Sequence, residues 1–221
     1  MEQVSLWMPR GRFGIAREGY PFMGLALIFA ALGFWFFWPL GIVFGLCFAF
    51  CVYFFRDPER ELPADPHLLV SPADGKVLKV ENLEANDLYP APHQKISIFM
   101  SALNVHVNRA PCDGLVQEVR YHPGKFFVAS LDKASAHNER CSVILETPRH
   151  QRVAFTQIAG LVARRIVCYL GKNAQIRRGE RYGLIRFGSR MEVSVPKNWK
   201  VLVKAGDKVQ AVATALAKME D

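Results

Sequence analysis

Phe34-Trp35-Phe36-Phe37-Trp38-Pro39-Leu40-Gly41 sits in the middle of 34 consecutive residues, Phe22 to Phe55, that carry no charge. As one helix the run would reach about 51 Å, against a hydrocarbon core of about 30 Å. The proline divides it into pieces of about 17 and 15 residues, since it cannot continue an undisturbed helix. A helical hairpin is the reading that follows. It puts the aromatic cluster near the far interface and leaves Arg10, Arg12 and Arg17 on the same side as Arg56 and Arg60. The competing reading is one tilted span with an apolar overhang. A cleaved signal peptide is not expected, given a run twice the usual length and the lack of a small-residue cleavage site.

Outward from this run, Phe55-Arg56-Asp57-Pro58-Glu59-Arg60 and Leu62-Pro63-Ala64-Asp65-Pro66 read as a connector, with a domain boundary at Arg56. Residues 56–221 are enough for one cored domain. There, short β-type runs lie between Gly, Pro and Asp: Lys76–Val80, Lys95–Met100, Leu115–Tyr121, Cys141–Glu146, Val153–Ala159, Ile166–Leu170, Leu184–Phe187, Met191–Val195 and Lys200–Lys204. This spacing predicts a mainly-β (α+β) domain. Short helices are expected at Ser130–Arg140 and Val209–Met219. Pro72-Ala73-Asp74-Gly75-Lys76-Val77 resembles Pro111-Cys112-Asp113-Gly114-Leu115-Val116, and Gly179-Glu180-Arg181-Tyr182 resembles Gly206-Asp207-Lys208-Val209, which predicts pseudo-repeated lobes. Asp113, Gly114, Gly179 and Gly206 are read as turn residues only.

The chain carries 28 Lys+Arg against 20 Asp+Glu, a formal charge of +8. Eleven of the basic residues fall between Arg164 and Lys204, against two acidic ones, Glu180 and Glu192, so this stretch is expected to form a basic face. With no RNP-like motif, nucleic acid is not the expected partner; an anionic membrane surface accounts for both the charge and the apolar run. Five cysteines without a CxxC pair suit a reducing, cytoplasm-facing domain. Walker A, GxGxxG, HExxH and GxSxG motifs are missing, and no metal site is expected.

Gly188-Ser189, within Arg181-Tyr182-Gly183-Leu184-Ile185-Arg186-Phe187-Gly188-Ser189-Arg190, follows four other segments in order. These are Ser71-Pro72-Ala73-Asp74-Gly75, Leu103-Asn104-Val105-His106-Val107-Asn108-Arg109-Ala110-Pro111, His122-Pro123-Gly124-Lys125-Phe126 and Asn138-Glu139-Arg140. Together with the connector, this ordered set resembles the phosphatidylserine decarboxylase proenzyme family, in its short, membrane-anchored, archaetidylserine decarboxylase-like branch. The resemblance implies a pyruvoyl enzyme made by self-cleavage between Gly188 and Ser189, giving a β chain of residues 1–188 and an α chain of residues 189–221. It implies Ser189 as nucleophile and later pyruvoyl residue, His106 as base, and Asp74 as the third member of the set. Arg109 stands where the family carries a second histidine, and His122 is the reserve imidazole; His67, His93 and His150 read as solvated loop residues. The resemblance further implies a serine phospholipid, diacyl or archaeal ether, as substrate, the pyruvoyl group as the only cofactor, and a location at the cytoplasmic face of the cell (inner) membrane. The possible partners are the two chains of the proenzyme and further copies. The competing functional reading is a membrane-anchored β scaffold without catalysis.

Overall fold

The computed structural model describes residues 11–130, 137–161, 165–186 and 188–220. They fall into two compact units, the first ending at Glu59 and the second beginning at Arg60.

In the first unit, α1 (Tyr20–Phe36) and α2 (Trp38–Phe54) form a hairpin of 17 residues a side. At 1.5 Å per residue each helix is about 26 Å long. With its preceding turn, Arg17–Phe36 is long and apolar enough to cross a membrane. The break falls at Phe37, whose φ of −157° is extended, rather than at the proline. Pro39 lies in the first turn of α2, where its missing N–H has no helical acceptor to lose. The helices meet at Gly33 and Gly41; a Cβ on Gly33 would lie 2.5 Å from the Gly41 nitrogen. Small residues there let the backbones approach. Phe29 stacks on Phe44 at 5.1 Å. Backbone bonds from Ala16 N–H to the Phe55 carbonyl (2.8 Å) and from Asp57 N–H to the Gly14 carbonyl (2.6 Å) close the open end, so both flanks leave together. Leu27, Ile28, Phe34, Trp35 and Leu46 stay exposed, as lipid-facing side chains do.

The second unit is built on an eight-stranded antiparallel sheet of β2 (Gly75–Leu83), β3 (His93–Met100), β5 (Gly114–His122), β6 (Arg140–Glu146), β7 (Arg152–Ala159), β9 (Gln175–Ile176), β11 (Ser189–Pro196) and β13 (Lys208–Val209). Their order is β13-β2-β3-β11-β7-β6-β5-β9. A second sheet, β4 (Val107–Arg109), β10 (Arg181–Ile185) and β8 (Ile166–Cys168), packs on one face, and Tyr182 meets Phe155 edge-on at 5.0 Å. A third joins β1 (Leu68–Val70), β14 (Ala215–Lys218) and β12 (Lys200–Val201). Strand alternation sends Ile96, Ile98, Met100, Val143, Leu145, Phe155, Met191 and Val193 into one core.

The strand order reads as two lobes meeting at β11 and β7. In each, the glycine of Pro-x-Asp-Gly starts a nine-residue strand with a bulge two or three residues in. Val77 exchanges backbone bonds with Gly206 and Asp207, and Val116 does so with Asn173 and Ala174. Gly206 and Asn173 both have positive φ, 97° and 67°. The counterpart of Gly206-Asp207-Lys208-Val209 is therefore Asn173-Ala174-Gln175-Ile176; Gly179-Glu180 repeats the same turn, but beside Ala110.

Two sequence expectations fail. Val209–Met219 is not a helix but ends β13 and supplies β14, because pairing with β1 and β12 outweighs the helical preference of its alanines. The basic residues after Arg164 do not all make one face, since two of them are taken up in internal pairing. Arg190 is buried, with Nε 3.1 Å from Glu192 and Nη2 donating to Ser97 Oγ at 3.0 Å. Arg178 donates to the carbonyls of Pro63, Asp65 and Leu68. Of the expected helix at Ser130–Arg140, residues 131–136 lie outside the described residues, and Arg140 opens β6.

Candidate active site

Ser189 is the first residue of β11, held between Met100 of β3 and Ala159 of β7 at the seam of the lobes. It is fully buried, and its Oγ donates to Met100 Sδ at 3.3 Å. The same sulfur receives Asn108 Nδ2 at 3.9 Å. Asn108 Oδ1 in turn accepts from Gln157 Nε2 at 2.9 Å, so a line of buried polar groups runs from β11 through β3 and β4 to β7.

Gly188 has φ +71°, which glycine adopts without strain, and among the described residues no atom beyond its chain neighbours lies within 4 Å of the position its Cβ would take. Its carbonyl rests against Gly160, where a Cβ would come within 2.2 Å of the oxygen. Two glycines thus make room around the one peptide bond that precedes Ser189.

His106 lies one residue before β4, whose Val107 pairs with Leu184 of β10, the strand that leads into residues 186–188. The ring is buried and its Nδ1 is 2.9 Å from the Asn104 carbonyl. Asn104 caps the turn after Met100, accepting from Ser101 N–H and Ser101 Oγ, each at 2.9 Å. The histidine loop therefore leaves β3 from the residue that faces Ser189.

Asp74 precedes β2, one strand beyond β3 at the same end of the sheet. Arg60 holds both of its oxygens, Nη2 to Oδ2 at 2.7 Å and Nη1 to Oδ1, and the Ala211 N–H adds a bond at 2.9 Å. The adjoining Pro72 carbonyl accepts from Arg109 N–H at 2.9 Å, tying the aspartate loop to the strand that follows His106. The fold thus brings Ser189, His106 and Asp74 to one end of one sheet. Among the described residues, however, the bonds of Ser189 Oγ and of the Asp74 carboxylate go to Met100, Arg60 and Ala211 rather than to the imidazole.

His122 ends β5, three strands from β11, about 14 Å at normal strand spacing. It lines a shallow cavity with Asp87, Arg120, Arg140 and Ser142 and stands apart from Ser189. His93 is not a solvated loop residue: it is buried, stacked on Tyr89 at 4.6 Å. Arg109 is buried and donates to the Gly179 carbonyl at 3.2 Å, fixing a turn. Sequence reasoning missed the roles of Arg60, which reads as connector, and of Met100, Asn108, Gln157 and Gly160, which strand pairing and not local pattern brings together. Asn138, noted only as part of a motif, proves to be a clamp. It donates to the carbonyls of Phe127 and Ala159 and accepts from Phe127 N–H, pinning the loop after β5 beside Ser189.

The fold thus sets a buried serine behind a left-handed glycine, with an imidazole and a paired carboxylate on adjoining loops. The same chain carries the apolar helix pair, in which Arg17–Phe36 is long and apolar enough to cross a membrane. The chain belongs to the phosphatidylserine decarboxylase family, whose sequence model matches residues 47–217. It is 46% identical over 209 residues to a phosphatidylserine decarboxylase proenzyme of Desulfotalea psychrophila, covering 93% of this chain and 96% of that one. Proenzymes of the same name from Burkholderia lata and Burkholderia multivorans are 47% and 46% identical over 212 residues, with the same coverage.

Proposed function

We propose that the chain is a proenzyme that cuts itself between Gly188 and Ser189 and then decarboxylates phosphatidylserine to phosphatidylethanolamine. The observation that carries this reading is the Gly188-Ser189 bond itself, left-handed and cradled by Gly160, with Ser189 fixed at a strand start. The curated relatives are named as proenzymes, which supports maturation from a precursor.

In maturation, Ser189 Oγ attacks the Gly188 carbonyl carbon and His106 accepts the hydroxyl proton. The C–N bond breaks, the amine takes a proton, and an ester joins residues 188 and 189. β-Elimination frees the Gly188 carboxylate and leaves dehydroalanine at 189; tautomerisation and water then give a pyruvoyl terminus and ammonia. Asp74, clamped by Arg60, sets negative charge next to the loop that carries His106. Two glycines beside the bond, and the hydrogen-bonding Met100, Asn108 and Gln157 side chains, suit a small carbonyl group at position 189. When formed, a pyruvoyl group supplies an electrophilic carbonyl that takes up the electron pair released with carbon dioxide. His106 holds the proton that replaces the lost carboxylate. The helix pair keeps the enzyme on the cytoplasmic face of the inner membrane, in the layer that holds its substrate.

The test is the intact mass of denatured protein beside Ser189→Ala. The expected result is two chains, residues 1–188 and 189–221, the second carbonyl-reactive, with one uncut chain and no decarboxylation for the variant. A single active chain in both samples would sink the proposal.

A further inference from the structure

The two ends of the eight-stranded sheet differ in what they expose. At the Ser189 end lie the segments after β3, β5 and β7; at the other lie residues 84–92, 110–113, 147–151 and 197–199. Among the described residues of this unit, six large hydrophobic side chains are exposed, and four of them sit at the Ser189 end: Leu103 at 64%, Leu161 at 58%, Tyr121 at 57% and Val128 at 43%. The other two, Leu62 and Leu202, belong to neither set of loops. The four come from three separate segments of the chain, so the fold is what assembles them.

Charge separates the ends in the same sense. Lys125 and Arg165 are exposed beside the four apolar residues, whereas Asp74 is paired and Glu139 half-buried. At the opposite end Glu84, Asp87 and Asp113 are exposed along with Arg149 and Lys197. Scattered apolar side chains on a soluble surface need no explanation, but four at the one end of the sheet that holds the buried Ser189, with Lys125 and Arg165 exposed among the described residues of that end, do.

We infer that Leu103, Tyr121, Val128 and Leu161 form a rim that dips into the leaflet of an anionic bilayer, with Lys125 and Arg165 meeting the lipid phosphates. An apolar surface edged by cations is the chemistry that seats a protein in a membrane interface. The rim shortens the path by which a serine head group leaves the leaflet for Ser189 while its acyl chains stay in lipid. This surface rests on the decarboxylase reading and adds to it a second membrane contact, distinct from the helix pair.

The test uses the full-length, self-cleaved protein reconstituted in phosphatidylcholine vesicles. Leu103→Glu/Leu161→Glu and Val128→Glu are compared with wild type and with Leu202→Glu. Substrate is long-chain phosphatidylserine in the bilayer or its dihexanoyl analogue kept monomeric in solution. The rim variants are expected to lose at least tenfold in turnover on bilayer substrate and less than twofold on the monomer, with Leu202→Glu unchanged on both. Equal losses on the two substrates, or no loss on vesicles, overturn the rim. A second readout does not depend on turnover: benzoylphenylalanine in place of Leu161 should photo-crosslink to vesicle lipid, and in place of Arg149 it should not. Equal crosslinking at both positions overturns the proposal as well. A wild-type protein inactive on both substrates overturns the decarboxylase reading, and crosslinking alone then decides the rim.

Discussion

Pro72-Ala73-Asp74-Gly75 and Pro111-Cys112-Asp113-Gly114 occupy equivalent places in the two lobes, at opposite ends of the same sheet. Each aspartate accepts a backbone N–H from two residues past the paired edge strand, Ala211 for Asp74 at 2.9 Å and Arg178 for Asp113 at 2.7 Å. Each glycine approaches a carbonyl of the neighbouring strand so closely that a Cβ would lie 2.2 Å or 2.4 Å from it. That much is architecture, since it occurs where no reactive residue stands. The difference is that Asp74 is buried and doubly bonded by Arg60, whereas Asp113 is exposed. One copy of a turn keeps only the role the fold requires; the other is buried with a counter-ion, at the end of the sheet where Ser189 lies.

Replacing each aspartate by asparagine gives the sharpest separation, because an amide oxygen can still accept the shared backbone bond and only the charge is lost. Asp74→Asn leaves the Arg60 guanidinium without its carboxylate in a mostly buried site. It should cost about 3 kcal/mol of stability and slow self-cleavage by about 100-fold, the usual scale for proton-transfer machinery. Asp113→Asn should cost less than about 1 kcal/mol and leave cleavage at the wild-type rate. Chemical denaturation and the time course of chain cleavage on gels measure the two effects separately. Equal slowing by both variants would break the comparison and reduce Asp74 to a turn residue.

A smaller effect is expected from the glycines. Gly160→Ala drives a methyl group into the Gly188 carbonyl, so it should slow cleavage by about tenfold through misplacement of the reacting group. Gly114→Ala meets the Glu146 carbonyl just as closely at the other end. It should lose about 1–3 kcal/mol through overpacking and cleave normally. Thermal melts alongside cleavage half-times distinguish the two, and a slow-cleaving Gly114→Ala would show that sheet stability alone limits maturation.

The sheet's long strands were legible in the sequence because alternation is local: each of β2, β3, β5, β6, β7 and β11 contains the run read for it. The edge strands β9 and β13 have two residues each, too short for any period to show. The hairpin was legible through charge and length, although its break moved to Phe37 because a proline is welcome in a first helical turn. Of the proposed site, Gly188, Ser189, His106 and Asp74 could be nominated from sequence because they sit in recognisable segments. Arg60 was not, since it lies 14 residues before Asp74 in a stretch that reads as connector. Gly160, Asn108 and Gln157 were hidden for a different reason: strand pairing, not sequence distance, makes them neighbours of Ser189 or of its sulfur partner.

The smallest difference between the regions is in their thiols. Cys112 stands where the first lobe has Ala73; burial, reinforced by the Asp113 charge and only partly offset by Arg178, pushes its pKa far above the usual thiol range. Cys168, on β8 beneath the strand that leads to Gly188, accepts a hydrogen bond from the Cys141 thiol, which lowers its pKa and raises that of Cys141. A lowered pKa means that the thiolate, the reacting form, is present at lower pH. Under native conditions iodoacetamide should therefore modify Cys168 several-fold faster than Cys112 or Cys141, with a rate that begins to climb at lower pH than that of a free thiol. Cys141→Ala removes the donor and should move that climb to higher pH, whereas Cys112→Ala should leave it in place. Peptide mass mapping of alkylated protein across a pH series reads both shifts. A Cys168 profile indifferent to Cys141→Ala would mean that exposure, not the shared proton, sets its reactivity, and the thiols would then no longer tell the two ends apart.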